Sequence, residues 1–133
     1  DLYKHRFELL MTIPGIGQNV AMSILTEVWD VKRFSNENKF AHYLGLIPTC
    51  HDSGERKSDG VKTFRGNKHL GPMIIEACWV AIYKDLGLGA CYADYKMVMK
   101  PQKAIVKVAR KMSNIIYSVL KNDKAYEPYQ WDK

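Results

Sequence analysis

From Pro101 onward the chain sets Ile105, Val108, Ala109, Met112, Ile116, Val119 and Leu120 at three- and four-residue intervals. Only an α-helix gathers that spacing onto one face, and such a face must be buried against other elements. The same interval recurs upstream. Val20, Ala21, Ile24, Leu25 and Val28 define a helix beginning near Gln18, and Phe7, Leu9, Leu10 and Met11 predict another between Leu2 and Thr12. Ser35 is placed to cap a third, carrying Phe40, Ala41, Tyr43 and Leu44, with Gly45 and Pro48 as its stop. Leu70, Ile74, Ala77, Cys78 and Ala81 predict a helix that must start close to Pro72, because proline is tolerated in a first turn. Gly87 and Gly89 are expected to break the pattern before a short helix from Cys91 to Met99.

Between the first two helical segments stands Ile13-Pro14-Gly15-Ile16-Gly17. Glycines reach positive φ without a Cβ clash, and Ile16 can plug back between the helices. Outward amides of the turn, with the positive dipole end of the helix that follows, would suit a phosphate. With Leu9 or Leu10 before it and Ala21 after it, the segment resembles the helix-hairpin-helix motif of DNA repair and recombination proteins. The resemblance implies backbone contact through Gly15, Ile16 and Gly17 rather than base reading. An ordinary interhelical turn is the alternative.

The stretch His51-Asp52-Ser53-Gly54-Glu55-Arg56-Lys57-Ser58-Asp59-Gly60 has no helical period. A serine hydroxyl attacks a phosphodiester when it is oriented and relieved of its proton, and nearby cations neutralise the transition state. Ser53 is the candidate nucleophile, with Arg56, Lys57, Lys62, Arg65 and Lys68 as candidate cations. Composition alone reads the same stretch as a solvated turn. A triad of His51, Asp52 and Ser53 is excluded because consecutive side chains point in different directions. The expected fold is therefore all-α in the main: a helix-hairpin-helix subdomain over 1–48, a long basic Ser-Gly loop over 49–66, and a small helical bundle over 67–133 whose tail beyond Asn122 wraps or frays.

Twenty Lys and Arg against 14 Asp and Glu give a net charge of +6, which favours a polyanionic partner through counterion release. Lys96, Lys100, Lys103, Lys107, Arg110 and Lys111 fall between positions 96 and 111 without an acidic residue. Lys103, Lys107 and Arg110 or Lys111 share one helical face opposite the apolar stripe, as a helix lying along phosphates requires. Trp29, Trp79, Tyr83, Tyr92 and Tyr95 read as core residues, with stacking on unpaired bases as the alternative. Met73, Met97 and Met99 read as packing, and His42 as a satisfied structural residue.

Hydrophobic residues make up 47% of the 133 positions, enough for folding without metal or disulfides. Cys50, Cys78 and Cys91 are odd in number and form no CxxC pair, so they read as reduced thiols of a cytoplasmic protein, with no zinc site. No apolar run approaches the roughly 18 residues of a membrane span. The chain begins at Asp1 without a leader pattern, which leads us to expect a fragment of something longer.

Taken in order, Ile13-Pro14-Gly15-Ile16-Gly17, Phe40-Ala41-His42-Tyr43-Leu44-Gly45-Leu46-Ile47-Pro48, Ser53-Gly54, Gly66-Asn67-Lys68-His69-Leu70 and Ala109-Arg110-Lys111-Met112 resemble the C-terminal domain of one transposase family. This is the insertion-sequence family with an N-terminal RuvC-like DEDD domain, which includes the Piv invertase. The resemblance spans nearly the whole chain. It implies a bacterial, nucleoid-associated recombinase that acts on DNA with a structured guide RNA and works as a homo-oligomer. It also implies that Ser53 forms a covalent link to DNA, with Ser58 as the nearby competitor. Magnesium is expected only at the RuvC-like domain, and no cofactor in this fragment. Asp52, Asp59 and Asp94 are not spaced like the acidic set, so no metal ligand is carried over. One departure stands out: the family pattern has an arginine after Gly-Asn-Lys-x-Leu, where this chain has Gly71-Pro72. The resemblance therefore implies a basic contact that is lost here, moved to Arg65 or Lys68, or replaced by a lineage-specific variation in how the helix begins. The alternative reading is a non-catalytic nucleic-acid-binding module of a repair or replication protein.

Overall fold

The helix that follows Pro101 runs through Asn122 and buries Ala104, Ile105, Val108, Ala109, Met112, Ile116, Tyr117 and Val119, so the stripe read from sequence is the spine of the core. The computed structural model describes residues 1–47, 69–128, 130 and 131, and among these the regular structure is entirely helical. In chain order the helices are α1 (Leu2–Met11), α2 (Gln18–Glu27), a 3-10 turn (Val31–Arg33), α3 (Glu37–Tyr43), α4 (Leu70–Lys84), α5 (Leu86–Lys96) and α6 (Pro101–Asn122). α6 packs on α4, α3, α5, α1 and the 3-10 turn, while α2 packs on α1 and α4.

Local chemistry sets the boundaries. Pro101 opens α6, where its missing N–H is no loss, and Asp123 closes it in the left-handed region at φ 58°. Pro72 lies in the first turn of α4, as its ring requires. α3 is capped by Asn36, one residue after the expected Ser35: the Asn36 carboxamide accepts from Lys39 N at 2.9 Å. Gly45 ends that helix with φ 78°.

Gly87 and Gly89 do not break a helix. α5 runs through both, and the interruption falls at Asp85, whose extended backbone ends α4 and whose carboxylate caps α5 by accepting from Leu88 N at 2.9 Å. A Cβ at Gly89 would stand 2.6 Å from the Ile82 carbonyl oxygen, so glycine there serves the close approach of α4 and α5.

The tail beyond Asn122 wraps. Tyr126 N donates to Thr12 Oγ1 at 2.9 Å, the Tyr126 hydroxyl donates to Asp85 Oδ1 at 2.7 Å, and the Trp131 indole donates to Asp94. His5 Nε2 lies 2.6 Å from Asp123 Oδ1 and ties α1 to the end of α6. Three residues read as core or packing are instead exposed, namely Tyr83, Met97 and Trp29. Helical spacing placed the first two inside, but each falls near a helix end where the partner helix no longer covers it. Trp79, Tyr92, Tyr95, Met73 and Met99 are at least partly covered, with Trp79 edge-on to Tyr92.

Candidate nucleic-acid interface

Ile13 and Ile16 are buried on either side of Pro14-Gly15, which is half-buried and turns the chain from α1 into α2, and the exposed residue of the segment is Gly17. The Ile16 amide donates to the Ile13 carbonyl at 3.1 Å, so the buried Ile16 side chain anchors the turn and its N–H is already engaged. Gly15 has φ 86°, and a Cβ there would meet the Ala77 carbonyl oxygen at 2.6 Å and Ala81 Cβ at 2.9 Å. It is therefore glycine twice over, for the turn and for its contact with α4. Gly17 has nothing within 4 Å of a built Cβ and stands as the N-cap of α2.

Among the described residues no side chain caps α2. The first amides of a helix have no intrahelical acceptor, and here they open on a groove of about 440 Å³ lined by Gly15, Gly17, Gln18, Asn19, Met73 and Glu76 among others. Glu76 is the unexpected member. Its exposed carboxylate shares the groove with the positive end of α2 and opposes any phosphate that enters.

On α6, Lys103 and Lys107 are exposed and Arg110 and Lys111 are partly covered, all on the side opposite the buried stripe. The same side continues through Asn114 and Ser118, which line a second groove of about 460 Å³ together with Lys111, Asn122 and Lys124. Lys111 Nζ sits 5.5 Å from the centre of the Trp131 ring, held by the wrapped tail. Asn114 and Ser118 carry the three- and four-residue interval onward from Lys111. The same interval is legible in the sequence, where Asn114 and Ser118 extend the face of the charged residues.

Ser53, Ser58, Arg56, Lys57, Lys62, Arg65 and Lys68 lie outside the described residues, as does the whole 49–66 loop. Position 71 is described. A Cβ on Gly71 would stand 2.1 Å from the Leu44 carbonyl oxygen, so the start of α4 is seated directly on the end of α3. No side chain fits there, arginine least of all, which gives the glycine of this chain a physical reason.

Among the described residues no group of three or more His, Cys, Asp or Glu is arranged to hold a metal ion. Cys78 and Cys91 are free and buried. Burial is the main cause that pushes the Cys78 thiol up to about 12 and the Cys91 thiol up to about 11, and both are neutral packing groups at ordinary pH. No described helix is long and apolar enough to cross a membrane.

A sequence model described as "Transposase IS116/IS110/IS902 family" matches residues 7–93. The "Pilin gene-inverting protein" of Moraxella bovis is 27% identical over 132 residues, covering 92% of this chain and 39% of the relative. The "Transposase for insertion sequence element IS1111A" of Coxiella burnetii is 26% identical over 125 residues, covering 88% of this chain and 33% of the relative. A "Probable family 20 transposase" of Pseudomonas aeruginosa is 23% identical over 127 residues, covering 92% and 38% respectively. The chain thus spans less than two fifths of the length of these curated relatives. No solved structure matches.

Proposed function

This chain belongs to the IS116/IS110/IS902 family of transposases, and from that premise we propose that it is the part of a transposase or DNA-inverting recombinase that holds nucleic acid and presents Ser53 to a DNA phosphodiester. The observation that carries the reading is the family match over residues 7–93, which takes in the turn at Gly15-Ile16-Gly17 and the Ser53-Gly54 pair together.

The uncapped start of α2, with the open backbone at Gly17, offers N–H donors to a DNA phosphate. The Lys103, Lys107, Arg110 and Lys111 side of α6 offers a second, charge-dominated contact to DNA or to a structured guide RNA. In the chemical step the Ser53 oxygen forms a bond to phosphorus, one bridging P–O bond breaks, and the departing DNA hydroxyl takes up a proton. Attack by another DNA hydroxyl on the phosphoserine then releases Ser53 and joins the new ends. The exchange conserves phosphodiester bonds and needs no external energy source. Arg56, Lys57, Lys62, Arg65 and Lys68 would neutralise the charge that builds on phosphorus. Metal ligands and the general base belong to a RuvC-like domain of the full-length protein, and magnesium to that domain.

The test is recombination by the full-length transposase carrying Ser53→Ala, with Ser58→Ala as the control. Loss of recombination in the first, retention in the second, and a DNA adduct trapped on Ser53 in the unaltered protein are expected. Full recombination by Ser53→Ala would overturn the assignment of Ser53: it would move the nucleophile to Ser58 if Ser58→Ala is inactive, and leave a non-catalytic binding module if neither substitution matters.

A further inference from the structure

Trp29 follows the end of α2 in the left-handed region, at φ 61°. Its N–H reaches back to the Ile24 carbonyl at 3.4 Å. Glycine, asparagine and aspartate take that conformation with least strain, and the chain uses Gly45 after α3 and Asp123 after α6. Among the described residues Trp29 is the one bulky side chain held at positive φ, and it is 40% exposed rather than sunk in the core. The turn itself gives no reason for an indole. Strain of this kind persists where the surroundings fix it, and it collects at binding sites.

Arg6 fixes the ring. Its guanidinium carbon lies 4.4 Å from the centre of the Trp29 ring, one of its nitrogens donates to the Trp29 carbonyl at 2.8 Å, and Asp30 Oδ2 stands 3.8 Å from another. The Arg6 side chain is only 17% exposed, so it covers one face of the indole and the open area lies on the other. Tyr3, exposed on α1, is nearly parallel to the indole, at 13° and 6.4 Å between centres. Rings laid directly over one another stand about 3.5–4 Å apart, so Tyr3 lengthens the flat surface and leaves the indole face open. Four positions after Trp29, no more than about 14 Å away, Arg33 is exposed and held over two rings, Phe34 at 4.9 Å and Tyr43 at 5.2 Å. Among the described residues no carboxylate is paired with Arg33, so its oriented N–H donors are unspent.

We propose that Trp29 and Tyr3 form a stacking platform for an unpaired base of a nucleic-acid strand, with Arg33 on a phosphate of the same strand. An open aromatic face beside an oriented cation is the combination that holds single strands, because every base has a π-face and every linkage a charge. In a duplex the neighbouring pairs cover those faces, so the platform selects unpaired nucleotides. Asp30 beside the ring is engaged by Arg6, which leaves stacking rather than net charge as the main attraction. The inference rests on the reading of this chain as a part that holds nucleic acid, but not on Ser53. It is also separate from the turn at Gly17, which lies at the opposite end of α2, about 15 Å away.

Titration of the 133-residue chain with oligothymidylate and oligouridylate of about eight nucleotides, followed by tryptophan fluorescence, tests it. Quenching is expected, and the tighter of the two strands names the source: DNA, or RNA through its 2′-hydroxyl. Trp29→Asn should weaken single-strand binding by about 10- to 100-fold and remove most of the quenching, while Trp29→Tyr, which keeps a ring, should stay within about threefold of the unaltered chain. Asparagine is at ease in the left-handed region, so helical content and affinity for a blunt-ended duplex should be unchanged in Trp29→Asn. Arg33→Gln leaves the end of α2 intact and should by itself weaken single-strand binding by about fivefold, with a salt slope lower by about one contact. Unaltered single-strand affinity in Trp29→Asn, or an equal loss for the duplex, would overturn the platform. Duplex binding without any single-strand quenching would overturn it and leave the nucleic-acid reading in place, whereas a chain that binds neither would overturn both.

Discussion

The Tyr126 hydroxyl donates a 2.7 Å hydrogen bond to the buried carboxylate of Asp85, joining the wrapped tail to the junction between α4 and α5. The other carboxylate oxygen caps α5 through Leu88 N. Tyr126→Phe removes one partner from a buried charged group, which costs about 1–3 kcal/mol. Urea unfolding of the two proteins should show that loss, and limited proteolysis should cut the variant faster beyond Asn122. Equal stability and equal cleavage would mean that the tail contributes nothing to the fold.

The two glycines of the turn separate folding from binding. At Gly15, φ of 86° and the 2.6 Å approach to the Ala77 oxygen make Gly15→Ala costly, about 2 kcal/mol or more. Gly17 has an extended backbone and open space around its α-carbon, so Gly17→Ala should cost less than about 1 kcal/mol. DNA affinity of the folded Gly17→Ala protein is therefore the cleaner probe, and we expect it to fall because the new methyl group stands where a phosphate would approach. Unchanged affinity, measured by fluorescence anisotropy at low salt, would remove the turn from the interface.

The helices were legible because each depends on its own apolar interval: α2, α4 and α6 bury the residues whose spacing announced them, Val20 and Leu120 only in part. What the intervals did not contain was the identity of the neighbour. Gly89 resembles a helix breaker until the Ile82 carbonyl is seen beneath it, and Gly71 resembles a lost arginine until Leu44 is seen beneath it. Tyr83 and Met97 carried apolar character that sequence assigns to a core by default, whereas the ends of α4 and α5 leave them outside. Glu76 went unnoticed for the same reason. It is an ordinary surface residue of α4 until α2 is laid beside that helix.

Glu76 should act as a brake on anion binding. Its carboxylate lines the groove at the start of α2, so Glu76→Gln is expected to tighten binding to duplex DNA by about threefold at low salt, with the gain shrinking as salt screens the charge. Lys107→Gln, on the exposed side of α6, should act in the opposite direction and lower the salt dependence of binding by about one phosphate contact. Titrations at several salt concentrations measure both. If Glu76→Gln has no effect while Lys107→Gln weakens binding, nucleic acid uses α6 and bypasses the turn.

The thiols give a prediction for alkaline solution. Cys78 is held up to about 12 and Cys91 to about 11, each from an ordinary value of 9.0, chiefly by burial. Below the unfolded value both states keep their protons, and the contribution to stability is fully present. Above it the unfolded chain releases protons that the folded chain retains, so stability falls as pH rises from 9.0 toward about 11 for Cys91 and about 12 for Cys78. The loss approaches roughly 1.4 kcal/mol per pH unit for each thiol. Cys78→Ala will be less stable than the unaltered protein at about pH 8 because it opens a small cavity, but the gap should narrow by about pH 10.5. Urea unfolding at the two pH values checks the sign. Mass mapping after brief alkylation at about pH 8 should find Cys78 and Cys91 unmodified in the folded protein and modified once it is unfolded. A constant gap, or rapid native alkylation of Cys78, would show that the thiol is not sealed on the buried side of α4.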